Sequence, residues 1–362
     1  MGTGPCAVQF PPAESHACAT MLRPLVETCQ ERIYMPETPP RVTVVIPNWN
    51  GVRHLPECLG ALAAQSISDF EVLLVDNASS DGSVAWVLEH HPELRILQLP
   101  DNGGFAVAVN AGIKAARGEY VALLNNDTAV DSGWLGALVG ALDDHRAYDF
   151  AASKMVLFYE PERLNAAGDV YGLGRLAGRN RGLGAPVSRY GDMERVLGAC
   201  AGAALYRRSL FREVGLLDED FFLMSEDTDF NLRCLIAGKR CLYVPAARVR
   251  HKFRASIGTE SVWEMTRLAA RNEAIVAAKD LPVEVLLLTP ILWPYRFIRQ
   301  TLLVRPSTWH LVPMLLRQSP GRFRAEVAGA CIGLAKRPEV WRRKATGTCE
   351  IIRWLLKGSG PA

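Results

Sequence analysis

Acidic and amide side chains gather at a few places in this 362-residue chain, and each place has the chemistry of a ligand or a proton acceptor. Asn48 and Asn50 follow the apolar run Val42 to Ile46, Asp76 follows a second run that begins at Phe70, and Asn125, Asn126 and Asp127 follow a third, Tyr120 to Leu124. Farther on, SEDTDF sets Glu226 and Asp227 side by side. A carboxylate offers only acceptors, so it takes an N–H or a proton, and its hard oxygens suit Mg²⁺ or Mn²⁺. A like charge nearby raises a carboxyl pKa toward the range useful to a base. The same residues have plainer uses. An Asp after a strand commonly caps the next turn, and acids in a first helical turn, such as Asp229 four residues before Arg233, offset the macrodipole.

The elements that must position these residues can be read from periodicity. Val42 to Ile46 is a continuous β-branched run ended by Pro47, as in a strand buried on both faces. Leu55, Leu59, Leu62 and Ala63 recur at helical spacing, and Phe70 to Val75 is a second buried strand, completing a βαβ unit. The alternation continues with a helix from about Ser83 to His90, a strand at Leu94 to Leu97, a helix from about Phe105 to Ala116 and a strand at Tyr120 to Leu124. It predicts an α/β fold with a mostly parallel central sheet and ligand sites at the carboxyl ends of the strands, where the polar residues sit. Residues 158 to 197, rich in Gly and Arg, read as a long loop or hairpin covering the site. A strand near Ala203 to Tyr206 and a helix from about Glu226 to Ala237, stopped by Gly238, close the domain.

Composition bounds the function. An apolar content of 49% with 22% charged residues suits a packed globular protein. The net charge of +3 is unevenly spread, because residues 281 to 362 carry 13 Lys and Arg against 4 Asp and Glu. Nine cysteines without a CxxC pair or zinc-ligand spacing read as reduced thiols. No basic start precedes an apolar run near the N-terminus, so a cytoplasmic location is expected. The longest uncharged apolar stretch, the 11 residues from Val285 to Tyr295, falls short of the roughly 20 that a spanning helix requires. No repeat and no nucleic-acid motif is present. Three regions are expected: an extension over 1–40, the α/β domain over 41–280, and a basic, amphipathic, helical region over 281–362.

The segments VTVVIPNWNG, LLVDNASSDGS and LLNNDT, with DEDFFLMSEDTDFNLR and the later VRHKFRAS, stand in an order that resembles the family 2 inverting glycosyltransferases. The resemblance covers about residues 41 to 280, and the stretch RYGDMERVLGACAGAALYRRSLFREVGLLDEDFF is similar to bacterial rhamnosyltransferase-type members. It implies a GT-A nucleotide-binding fold.

By that resemblance, Asp76 accepts the N3 hydrogen of a uracil or thymine ring, and Pro47, Asn48 and Asn50 wall the base and ribose. NGGFAVAVNAG is no dinucleotide fingerprint, and it reads either as a plain helix start or, by resemblance, as Asn102 and Gly104 bordering the nucleotide with a helix N-terminus near the phosphates. Asn125, Asn126 and Asp127 occupy the place of the family's DxD. Only Asp127 keeps a carboxylate there, so a Mg²⁺ or Mn²⁺ cofactor is expected on Asp127, the diphosphate and His251, with Asn126 on the donor. His251 precedes Ser256 as in the family, although the family's glycine is Arg254 here. The resemblance makes Asp227 the base, with Glu226 beside it binding acceptor or tuning its pKa. Gly198, Ala199 and Cys200 either border the acceptor or simply pack as a strand. Trp49 and Trp263 either stack on sugars or fill the core.

The expected reaction is metal-dependent, inverting transfer of a sugar to a hydroxyl of a saccharide or polyprenyl-linked acceptor in cell-surface polysaccharide synthesis. Rhamnose from a dTDP-sugar is the leading donor, and a UDP-sugar is the second. The basic tail, with Leu286 to Leu288, Ile291 to Trp293, Leu315 to Leu316, Arg296, Arg299, Trp341, Arg342, Arg343, Lys344 and Trp354, suits an anionic membrane surface at the inner face of the plasma membrane. The other reading packs the tail on the acidic body. A rival function is a catalytically silent, membrane-associated scaffold that keeps the fold.

Overall fold

A computed structural model of the protein describes residues 38–173, 176–252, 262–288 and 312–357. The extension as far as residue 37, Arg254, Ser256, Ile291 to Trp293, Arg296 and Arg299 lie outside these residues, as do the side chains of Trp263, Leu315 and Leu316.

Strands and helices alternate through β1 (Val42–Asn48), α1 (Leu55–Ala63), β2 (Phe70–Asp76), α2 (Ser83–His90), β3 (Arg95–Gln98), α3 (Phe105–Ala115) and β4 (Tyr120–Leu124). The register is parallel throughout, with β1 between β2 and β4 and with β3 outside β2. Side chains alternate across β1. Val42, Val44 and Ile46 enter the core under α1, whereas Val45 enters the one under α3. All four are fully buried, each contributing about 1.5–3 kcal/mol of hydrophobic stabilisation. Burial on both faces explains the uninterrupted β-branched run.

The chain continues through β5 (Thr128–Val130), α4 (Trp134–Asp144), β6 (Phe150–Leu157), β7 (Leu164–Ala167), the hairpin β8 (Asp169–Gly172) and β9 (Ala177–Asn180), then β10 (Glu194–Val196), β11 (Ala203–Arg207), α5 (Arg208–Val214), α6 (Glu226–Ile236) and β12 (Cys241–His251). Strand β11 inserts antiparallel between β4 and β6, and β12 runs parallel to β6. The sheet order is β10-β12-β6-β11-β4-β1-β2-β3, so six strands point one way and the antiparallel members lie at β10, β11 and the flanking β5 and β7. Within 158–197 there is therefore both a hairpin and added sheet.

The register of β12 against β6 slips between Val244 and Arg248, where Pro245 removes a ladder donor. Beyond the bulge β12 also pairs with β5, setting His251 opposite Thr128 and so beside Asp127.

Helices α7 (Val262–Asp280), α8 (Val283–Leu286), α9 (Val312–Arg342) and α10 (Thr348–Lys357) follow. A Cβ on Gly329 or Gly333 of α9 would come within 2.2 Å of Arg271 O or 2.5 Å of Ile275 O, so these two positions let α9 lie close against the α7 backbone. Ile275, Val276, Val340, Ile351 and Leu355 share one core with Leu232 and Ile236 of α6. Several tail cations bind the body. Lys336 pairs with Asp218 (2.6 Å) and Asp220 (2.7 Å), Arg337 donates to Ala278 O (3.1 Å), and Arg343 donates to Val214 O. Asp229, expected as an acid that merely offsets the helix dipole, is fully buried and holds both Arg233 (2.8 Å) and Lys279. Burial opposes its charge, yet the two cations keep its carboxyl below the usual range.

Candidate active site

Three groups of polar side chains line the carboxyl ends of the parallel strands. The first joins β1, β2 and β4. Asn48 Nδ2 donates to Asp76 Oδ1 (3.2 Å) and Ser79 Oγ (3.2 Å), while Asn48 Oδ1 accepts from Asn126 Nδ2 (2.7 Å). Ser79 N–H donates to Asp76 Oδ2 (3.0 Å). Each carboxylate oxygen therefore retains acceptor capacity for an N–H of a ligand. Pro47 lies beyond the last β1–β4 pair, Val45 with Leu123, so its missing N–H takes nothing from that ladder. Asn50 adopts φ +49°, a left-handed conformation that Asn tolerates, with its N–H on Ser79 Oγ (2.9 Å) and its Oδ1 taking Ser80 N–H (2.8 Å). Trp49 between them is exposed and does not fill the core.

The second group borders α3. Asn102 Oδ1 accepts from Asn77 Nδ2 (2.8 Å) and Gly104 N–H (3.0 Å), and Asn77 Oδ1 accepts from Gly103 N–H (3.1 Å). Gly104 has φ +87°, and Phe105 N–H donates to Phe222 O (2.8 Å), tying the start of α3 to the loop before α6.

The third group holds the remaining acids. His251 Nε2 lies 3.2 Å from Asp127 Oδ1, and His251 Nδ1 lies 2.9 Å from Asn165 Oδ1. Asn165 Oδ1 can accept a hydrogen bond from Nδ1 when the imidazole is neutral, which leaves Nε2 available as a metal ligand on the side of the carboxylate. One carboxylate oxygen and one imidazole nitrogen this close form a donor set that fits Mg²⁺ or Mn²⁺. No group of three or more such ligands occurs among the described residues. The diphosphate and water would complete the shell, the mode typical of Mg²⁺ on nucleotides.

Glu226 and Asp227 open α6 after two consecutive left-handed residues, Met224 (φ +71°) and Ser225 (φ +72°). Each such conformation costs roughly 1–3 kcal/mol, a strain that concentrates at functional sites. Thr228 N–H donates to Asp227 Oδ1 (2.7 Å). Burial, with Asp227 beside it, pushes Glu226 up to about 8. Burial also raises Asp227, against backbone hydrogen bonds from Thr228 and Ala201.

Segment 198–202 bridges the groups. Asn125 N–H donates to Gly202 O (2.9 Å) at one end, Ala201 reaches Asp227, and Ala199 is bracketed by Asn231, its N–H donating to Oδ1 (3.2 Å) and its O accepting from Nδ2 (3.0 Å). A Cβ on Gly198 would meet Asn231 Cγ at 2.0 Å, so only glycine permits this approach. Cys200 is half-buried, and its thiol is pushed up by burial and by Asp169, Asp227 and Glu226. Gly198, Ala199 and Cys200 thus sit beside the acidic pair.

Asn77 ends the second apolar run beside Asp76, where the sequence already places a polar residue. Sequence reasoning missed other residues here: Ser79 and Asn231 lie within the motif segments without a role, and Asn165 and Asp169 lie in a stretch without a spacing signal. Lys252, next to His251, pairs with Glu57 (2.7 Å) and lies 3.4 Å from His54 Nδ1, and His54 is lowered by burial and by Lys252.

Residues 43–215 match the family model for Glycosyl transferase family 2. A Mycobacterium tuberculosis protein named N-acetylglucosaminyl-diphospho-decaprenol L-rhamnosyltransferase is 29% identical over 251 residues, 61% of this chain and 78% of that protein. The uncharacterized glycosyltransferase EpsJ of Bacillus subtilis is 27% identical over 215 residues, 56% of this chain and 58% of its own length. An uncharacterized protein, y4gI of Sinorhizobium fredii, is 26% identical over 292 residues, which is 75% of this chain but only 30% of that longer protein. Among solved structures, GalNAc-T7 with UDP, GalNAc and Mn²⁺ superposes with a TM-score of 0.55 at 18% identity, covering 67% of this chain and 48% of that one. That likeness shows the fold, the GT-A arrangement. The matching family model and the GT-A sheet agree, and residues 43–215 form a glycosyl transferase family 2 domain.

Proposed function

We propose that this chain is an inverting glycosyltransferase that moves a sugar from a nucleoside diphosphate to a hydroxyl of a saccharide or polyprenyl-linked saccharide. The observation that supports it most is the bridge formed by residues 198–202, which links the Asp127 strand to Asp227 and so sets a leaving-group site beside a base. In this reading Asp76, Asn48, Asn50, Pro47, Asn102, Gly104 and Asn126 hold the nucleotide. Asp227 takes the proton of the acceptor hydroxyl, the oxygen bonds to the anomeric carbon, and the bond to the diphosphate breaks on the opposite face. Asp127 and His251 would hold Mg²⁺ or Mn²⁺, which when bound supplies positive charge to the leaving diphosphate. Positioning accounts for most of the remaining acceleration.

The name of the mycobacterial relative supports rhamnose as the sugar and a lipid-linked acceptor; the donor proposed first is dTDP-rhamnose, with a UDP-sugar second. The catalytic part spans 41–280, between the 1–40 extension and the basic 281–362 region. The test is acceptor-dependent release of nucleoside diphosphate from a panel of dTDP-, UDP- and GDP-sugars. A silent scaffold would bind without releasing.

We also infer that the 281–362 region rests on the cytoplasmic face of an anionic membrane. No described helix is long and apolar enough to cross a bilayer. One face of α9 packs on α7, and on its other face Phe323, Val327, Cys331 and Leu334 are exposed beside Arg324. Apolar side chains at that spacing, with cations near anionic lipid worth about 1 kcal/mol each, suit an interface. Full-length protein is expected to float with anionic vesicles at low salt and to lose binding when Phe323, Val327 and Leu334 are changed to Glu. Equal flotation of the triple variant, or none by the natural protein, would remove the membrane reading.

A further inference from the structure

Three carboxyls crowd the acceptor side of the site: Asp227, read as the base, Glu226 beside it, and one with no role in the mechanism above. The third is Asp169, the first residue of β8 and 4% exposed. Its N–H donates to Gly198 O (2.8 Å), and its Oδ2 accepts from Asn231 Nδ2 (3.0 Å). The same Asn231 amide brackets Ala199 on both backbone groups. Two residues later, the backbone of Ala201 acts on Asp227 and favours its charged form. Hydrogen bonds from Asp169 through Asn231 therefore fix the 198–201 backbone, which borders the base.

We propose that Asp169 is a positioning residue, which fixes residues 198–201 through Asn231 and Gly198 so that Asp227 meets the acceptor hydroxyl in the reactive geometry. The inference rests on the reading of Asp227 as base. Asp169 acts here by shape and hydrogen bonding, without charge. Its Oδ1 is buried with no hydrogen-bond partner among the described residues, and burial, with Asp227 and Glu226, holds the carboxyl well above the usual range. The groups facing it are those two acids of α6, the thiols of Cys200 and of Cys241 on β12, both raised in part by Asp169, and Asn180 of β9, which lies directly opposite. Ionised, Asp169 would add a negative charge to a buried cluster that already holds two acids. Neutral, it presents the oxygen that Asn231 needs, and an amide can present the same one.

The test compares kcat, acceptor KM and protection by nucleotide sugar against thermal unfolding in the full chain and four variants. Asp169→Ala is expected to lower kcat at least about 10-fold, the scale of a misplaced reacting group, with donor protection unchanged. Asp169→Asn is expected to recover most of that loss. Asn231→Ala should match Asp169→Ala, and the double variant should be little worse than either, as for residues acting in series. Normal kcat in Asp169→Ala would overturn the role, and Asp169→Asn as slow as Asp169→Ala would assign the work to charge and overturn it equally. If Asp169→Ala fails to fold, Asp169→Asn against wild type decides, because a 10-fold loss there contradicts an uncharged role. Asp227→Asn, run in parallel, separates the two levels. Normal turnover in it would remove the base reading itself, whereas its failure beside normal Asp169 variants would remove only the inference.

Discussion

Asp227→Asn is expected to lower kcat at least ~10²-fold while leaving protection by the donor nearly unchanged, because it keeps the size of the side chain and removes its basicity. Burial raises this carboxyl, so the wild-type rate should fall as pH drops through the raised value, where the base becomes protonated. Stability should move the other way. A carboxyl raised on folding, such as Glu226 from 4.5 to about 8, binds its proton more tightly in the folded chain, so its contribution is fully present at low pH and is lost as pH rises through that window. Removing Asp227's charge relieves the repulsion, and Asp227→Asn should raise Tm more at pH 8 than at pH 5. Wild-type turnover in the variant, measured by diphosphate release, would exclude Asp227 as the base.

Asp127→Ala is expected to abolish stimulation by Mg²⁺ or Mn²⁺ and to lower kcat by about 10²–10³-fold, the scale for losing one electrostatic stabiliser of a leaving group. Asp127 is buried in the turn between β4 and β5, and β5 and the post-bulge part of β12 hold it beside His251. Its carbonyl also accepts from Lys252 N–H (3.0 Å), a backbone bond that the substitution leaves in place, so the fold should survive. A titration of activity with Mn²⁺ reads the effect. The same metal dependence in variant and wild type would contradict the assignment.

The front half of the fold was legible because its strands are buried on both faces and its helices are amphipathic, so each element carries its own period. Ser83–His90 and Tyr120–Leu124 begin and end where periodicity places them. The second half was less so. Helix α4 carries Gly136 and Gly140, which weaken the helical signal, and β12 carries Pro245, which argues against a central strand until the bulge is known. Candidate site residues could be named where a strand ends in a polar cluster, as at Asn48, Asp76 and Asp127. Asp169 and Asn231 could not, because their importance comes from a contact spanning 62 positions. Asp229 misled for the same reason: its partner Lys279 lies on α7, and nothing local to α6 foretells a buried pair.

The most direct test of the whole account is a proton NMR time course of wild-type protein with nucleotide sugar, divalent cation and saccharide acceptor. The account predicts that nucleoside diphosphate appears in step with a new anomeric signal of the configuration opposite to the donor's, and only when acceptor is present. Donor left intact with every sugar of the panel despite binding, or a product that keeps the donor's configuration, would contradict it.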